Sequence, residues 1–129
     1  MPDLRLRKSE KLCSAISVDA LFAPRSGAKG ALAFPLRMVW RPNEGRTRGA
    51  RVQFLISVPK TRLRHAVDRG TMRRRIREAY RLHRDLIPVP TDGAATTPLD
   101  VAFVYVGPGL LPYRKIEAAM TRLLPQLSL

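Results

Sequence analysis

Residues 62–84, RLRHAVDRGTMRRRIREAYRLHR, hold nine arginines and only two acids, Asp68 and Glu78, in a stretch of helical period. At about 100° per residue, Met72, Ile76, Ala79, Leu82, His83 and Leu86 fall on one arc, with Tyr80 at its border. Arg69, Arg73, Arg74, Arg77, Arg81 and Arg84 fill an adjoining arc. Only Arg75 sits toward the apolar side, from which its long stem can snorkel outward. Such a helix can be covered on one side only, so it belongs on the outside of a layered domain with its apolar stripe against another element. Ion pairing along the helix does not account for the other side, because Glu78 is the one acid among seven arginines between residues 69 and 84. Like charges at this spacing repel. A phosphate backbone reverses that cost, since each contact releases condensed counterions.

The rest of the chain carries the same bias. Lys+Arg number 24 against 10 Asp+Glu, a formal charge of +14, and the apolar fraction is 45%. That fraction is ordinary for a folded domain, so the charge sits on a globular body and is no mark of disorder. Nineteen of the basic residues are arginine and five are lysine. A G+C-rich genome could explain that preference, but not the excess over acids. The guanidinium fork grips phosphate bidentately and stacks on bases, which places nucleic acid ahead of an anionic membrane as partner. No apolar run approaches the roughly 18–20 residues of a membrane span. The start, MPDLRLRKSE, lacks the apolar stretch of a secretory signal. A single cysteine, Cys13, can form neither an internal disulfide nor a zinc site by itself. The expected setting is the cytoplasm.

One domain over residues 1–129 is expected. Residues 1–8 read as a basic arm, and 9–22 as a short or broken helix with Ser9 as N-cap and Leu12, Ala15 and Ile16 on one side. Two stretches with a period of two follow. Leu32, Phe34, Leu36, Met38 and Trp40 alternate with positions that include Arg37 and Arg41. Val52, Phe54, Ile56 and Val58 alternate with Arg51, Gln53, Leu55 and Ser57. The connector between them, PNEGRTRG, has the length of a hairpin loop. Pro35 marks an edge position or a break between a short strand and the next. After the arginine helix, residues 88–99 form a loop rich in proline and small polar residues. VAFVYV (101–106) is apolar on both faces, as a central strand is. Gly107, Pro108 and Gly109 end it, and a last helix with Pro112 in its first turn buries Ile116, Ala119, Met120, Leu123 and Leu124. The order is helix, two or three strands, helix, strand, helix: a two-layer α+β sandwich.

The run SVPKTRLRHAVDRGTMRRRIREAYRL resembles the signature of the bacterial ribonuclease P protein component. Ser57, Val58 and Lys60 match the family's strand end. Ala66, Val67, Arg69, Arg74, Arg77 and Glu78 match its helix, with Arg73 in place of a lysine. Leu111-Pro112-Tyr113 before the final helix also agrees. The departure is Gly70-Thr71, where the family has Asn-Arg. Glycine costs roughly 1 kcal/mol inside a helix, so either the helix bends there with Thr71 capping a restart, or the contact with RNA is lighter.

The resemblance implies a fold of the ribosomal protein S5 domain 2-like kind, order α-β-β-β-α-β-α with a small, mostly antiparallel sheet. It implies the protein subunit of an endoribonuclease whose catalytic RNA removes the 5′ leader of precursor tRNA, using Mg²⁺ held mainly by the RNA and no organic cofactor. The subunit itself is then non-catalytic and binds no metal, and is monomeric without RNA. Lys60, Arg69, Arg73, Arg74, Arg77, Arg81 and Arg84 are the expected contacts with the catalytic RNA. Phe22, Arg37, Arg51, Gln53 and Ser57 are the expected leader-binding cleft, where charge and flat groups serve a single strand. Arg37 stands where the family commonly has an aromatic, and Leu12 replaces another. The ten acids are scattered and His65 and His83 have no evident nucleophile beside them, so His83 reads as a residue at the border of the core. Two other functions compete: a ribosomal-type RNA scaffold without a role in tRNA processing, and a protein that cleaves RNA itself.

Overall fold

The computed structural model describes residues 28–43, 52–88 and 98–127. The expected arm, the helix over 9–22, Phe22, Arg51 and most of the 88–99 loop lie outside the described residues.

Four strands form one sheet: β1 (Lys29–Ala33), β2 (Leu36–Pro42), β3 (Val52–Ser57) and β4 (Leu99–Tyr105), in spatial order β1-β2-β4-β3. The β1–β2 and β2–β4 pairs are antiparallel, and β3–β4 is parallel. β4 is therefore central, as its two-sided apolar sequence requires, and begins two residues earlier than expected, at Leu99. The strands flanking the PNEGRTRG connector are not neighbours, because β4 lies between them. A hairpin-length connector does not enforce pairing when a more apolar strand can take the central position. The parallel β3–β4 pair needs a crossover, and α1 (Ala66–His83) supplies it.

α1 and α2 (Tyr113–Leu123) pack side by side on one sheet face, α1 over β3 and α2 over β1 and β2. Met72, Ile76 and Ala79 of α1 and Ile116, Ala119, Met120 and Leu123 of α2 are buried, with Leu124 just beyond. They meet Leu36, Met38, Trp40, Phe54, Val101, Phe103 and Tyr105 from the sheet. Three expectations are corrected here. Tyr80 is a core residue, stacked 4.1 Å from Phe54 between ring centroids. Leu86 is exposed, because α1 gives way to a 3₁₀ turn, Arg84–Leu86, which shifts the helical phase. Pro112 stands just before α2, at its N-cap, and not inside its first turn.

The even-numbered apolar phase holds for Leu36, Met38 and Trp40 but not for Leu32 and Phe34, which are 68% and 61% exposed. The turn at Phe34–Pro35 resets the alternation: Ala33 pairs with Leu36 and Leu32 with Arg37, so Leu32 shares the face away from the helices. Pro35 marks the break. Its carbonyl accepts from the Val106 N–H at 2.8 Å, fixing the turn to the end of β4.

Gly107 closes this corner. A methyl group there would lie 2.8 Å from Pro35 Cβ and the Tyr105 hydroxyl and 2.9 Å from Leu111 Cδ1. Gly107→Ala should cost about 1–3 kcal/mol, as overpacked sites do. A urea melt that superimposes on the parent's would show that the corner yields freely.

Candidate RNA interface

α1 starts at Ala66 without a side-chain cap and carries Asp68 in its first turn and Arg81 in its last, charges that suit the helix dipole. The helix runs unbroken through Gly70 and Thr71. Of the two alternatives for Gly70-Thr71, the capped restart is not what forms: the Thr71 hydroxyl donates to the Val67 carbonyl one turn back at 3.1 Å.

The seven expected RNA contacts separate by what holds each one. Lys60, Arg73 and Arg77 are exposed, and their side chains make no hydrogen bond or ion pair with the described residues. Arg74 is exposed and donates to the Thr71 hydroxyl at 3.1 Å. Arg81 spends its fork on Glu78, with bonds of 2.5 and 3.1 Å. That bond holds the Glu78 carboxyl below the usual carboxylate range. Arg69 turns back to donate to the carbonyls of Leu63 and Arg64 at 3.0 and 2.9 Å, clasping the 59–65 turn onto the helix. Arg84 is half-buried in the 3₁₀ turn. Arg75 does not reach into solvent as expected: its Nη1 donates to the Leu111 carbonyl at 2.5 Å and ties α1 to the loop before α2.

A polar cluster joins the two helices behind this face. His83 lies 3.0 Å from Glu117, whose carboxylate also accepts from the Tyr113 hydroxyl at 3.2 Å. The His83 bond lowers the pKa of Glu117, and burial together with Glu117 pushes Tyr113 up to about 12. His83 thus stands at the border of the core, in a clamp between helices.

The opposite side of the sheet gathers the described members of the expected cleft. Arg37 and Ser57 both register with Val104 and lie on one rung across the sheet. On the next rung Val39, Ala102 and Leu55 form an apolar floor. On the third, Asp100 stands between Arg41 and Gln53. Asp100 is 3% exposed and accepts from the Asn43 amide at 2.9 Å. Asp100 and Asn43 are absent from the sequence expectation, although an acid at an outward-facing position of an otherwise apolar strand was a signal available to it.

The molecule is thus a small basic α+β domain with a cationic helix on one side and a polar, arginine-bearing sheet face on the other. The family model described as Ribonuclease P matches residues 6–127. The ribonuclease P protein component of Porphyromonas gingivalis strain W83 is 33% identical over 123 residues, 94% of this chain and 85% of that one. Its counterpart from strain ATCC 33277 is 34% identical over 119 residues, 91% and 82% of the two chains. The chain belongs to the ribonuclease P protein family. In fold it is similar to the ribonuclease P protein of Thermotoga maritima, with a TM-score of 0.66 at 16% identity over 92% of this chain and 98% of that one.

The two kinds of arginine should separate by stability. Arg69→Ala removes both bonds to the 59–65 turn and should cost about 1–2 kcal/mol. Arg73→Ala and Arg77→Ala should stay within about 0.5 kcal/mol of the parent. Equal chemical-denaturation midpoints for all three would mean the Arg69 clasp contributes nothing.

Proposed function

We propose that this subunit binds the catalytic RNA of ribonuclease P through the arginine face of α1 and takes the 5′ leader of precursor tRNA along the sheet face turned away from α1 and α2. The observation that carries the reading is the set of exposed guanidiniums at Arg73, Arg74 and Arg77 on α1, whose nearby acid Glu78 is already paired with Arg81. Unneutralised charge held on a rigid helix repels itself in the free protein and is relieved on a phosphate backbone. On the other side, Arg37, Gln53 and Ser57 offer a charge, an amide and a hydroxyl on one surface, suited to a single strand. Phe22 and Arg51 belong to the same proposed cleft.

The hydrolytic step is assigned to the RNA and its Mg²⁺. Among the described residues no three His, Cys, Asp or Glu side chains are placed to share a metal ion, and His83 is engaged with Glu117. The role of this chain is to position substrate and offset phosphate repulsion. We place the complex in the cytoplasm, with the protein monomeric before it meets RNA. No described helix is long and apolar enough to cross a membrane.

Incubating precursor tRNA with the protein, with ribonuclease P RNA from the same genome, and with both should give no 5′ cleavage by protein alone. The protein should lower the Mg²⁺ and salt that the RNA demands. Cleavage by the RNA-free protein after stringent purification would overturn the assignment, and an RNA indifferent to the protein would favour a scaffold elsewhere. Within the active complex, Arg73→Ala or Arg77→Ala should each flatten the slope of log affinity against log salt by roughly one unit. Arg37→Ala should instead leave affinity for the catalytic RNA intact and weaken binding of leader-bearing precursor by about five- to tenfold relative to mature tRNA. Equal loss on both substrates would remove Arg37 from the cleft.

A further inference from the structure

Gly70 sits inside an 18-residue helix, where glycine is the poorest residue short of proline, yet nothing among the described residues asks for it. Its backbone is not in the left-handed region, and the helix runs through it without a break. A Cβ at this position would meet one atom within 4 Å, Nη1 of Arg74, at an ordinary contact distance of 3.7 Å. Among the described residues, no other element approaches closely enough to exclude a side chain.

The surroundings indicate a reason outside the chain. On the helix surface the neighbours of Gly70 are the residues three and four positions away: Ala66 and Val67 on one side, Arg73 and Arg74 on the other. Ala66 is exposed and Val67 is 77% exposed, more than any other large apolar side chain described. With Gly70 they make a low apolar floor beside the uncapped first turn of α1. Arg73, Arg74 and Arg77 rise along its edge. Arg74 is held in place: its guanidinium is seated on the Thr71 hydroxyl, which is itself fixed to the Val67 carbonyl. Asp68, the acid of the first turn, lies on the opposite side of the helix.

We infer that Gly70 is an approach notch, where the sugar–phosphate backbone of an RNA strand comes against the helix itself, its ribose on Ala66 and Val67 and its phosphate on the seated Arg74. Absence of a side chain lets a bulky polymer approach the helix backbone closely, and seating Arg74 beforehand spares part of the entropy of ordering a long side chain on binding. The inference rests on α1 being the RNA face and adds where on it the strand makes its closest approach.

The test exploits opposite signs. Gly70→Ala and Gly70→Leu replace glycine by good helix formers at a site with room, so both should raise the thermal midpoint, by roughly 3–5 °C. Both should nevertheless weaken binding to the ribonuclease P RNA, Ala by about tenfold, the loss of one charge-assisted hydrogen bond, and Leu by more. Ala118→Leu, which adds an isopropyl group to an exposed position of α2, should bind as the parent does. Two stabilised Gly70 variants that bind as tightly as the parent would overturn the notch while leaving the RNA face standing. Loss with Ala118→Leu equal to that with Gly70→Leu would also overturn it. A parent protein without affinity for the RNA would remove the face and the notch together.

Discussion

The rings of Phe54, Tyr80 and Phe103 meet in the middle of the domain, with centroids 4.1, 5.8 and 6.3 Å apart. They come from β3, α1 and β4, the three elements of the crossover, and two of the three pairs are tilted and one edge-on, arrangements that aromatic rings prefer. This contact sets the rotation of α1 about its own axis. With Tyr80 turned inward beside Met72, Ile76 and Ala79, the residues at Arg73, Arg74, Arg77 and Arg81 are left outside. A helix this highly charged has little tendency to hold such an orientation by itself. The apolar stripe does it, and the cationic face is a consequence of the packing behind it.

Parts of the fold governed by a single local rule were legible in the sequence. The burial of α2 follows its i, i+3, i+4 spacing, and β4 is central because both its faces are apolar. The reading failed where two rules met. Period-two alternation ran from Leu32 to Trp40 on paper, but the turn at Phe34–Pro35 sets Ala33 opposite Leu36 and reverses the phase of what precedes it. The connector after β2 had hairpin length, but the β3–α1–β4 crossover outweighed it, because the central place in the sheet goes to the strand that gains most from burial on both sides. By angle alone Tyr80 falls at the border of the apolar arc, but its large ring reaches inward to stack near Phe54 and is buried.

Within the site, the sequence located the basic face and could not tell its members apart. An arginine reaches far enough that carbonyls in a neighbouring turn compete for it, and tertiary structure decides the winner. Arg69 and Arg75 are drawn to the carbonyls of Leu63, Arg64 and Leu111, and Arg81 to the carboxylate of Glu78. Arg73 and Arg77 have no such competitor among the described residues. The rungs of the sheet face turned away from α1 and α2 were similarly half legible. Alternation placed Gln53 and Ser57 on one side of β3 and Arg37 on one side of β2, but only the register with β4 brings them onto a common surface with Asp100 between Arg41 and Gln53.

The central strand of the sheet is also its last. β4 begins at Leu99, after β1, β2, β3 and α1 have all been made. Until it leaves the ribosome, β2 and β3 each present a strand edge with no partner, and the inward rings of Phe54 and Tyr80 have no Phe103 to close on. The first three quarters of the chain is thus a half-sheet with an open seam and a strongly cationic helix. Open seams of this kind pair with whatever strand is nearby. The positive charge that suits the finished subunit to its partner also keeps nascent copies of it apart, so the same arginines serve the protein before it has folded.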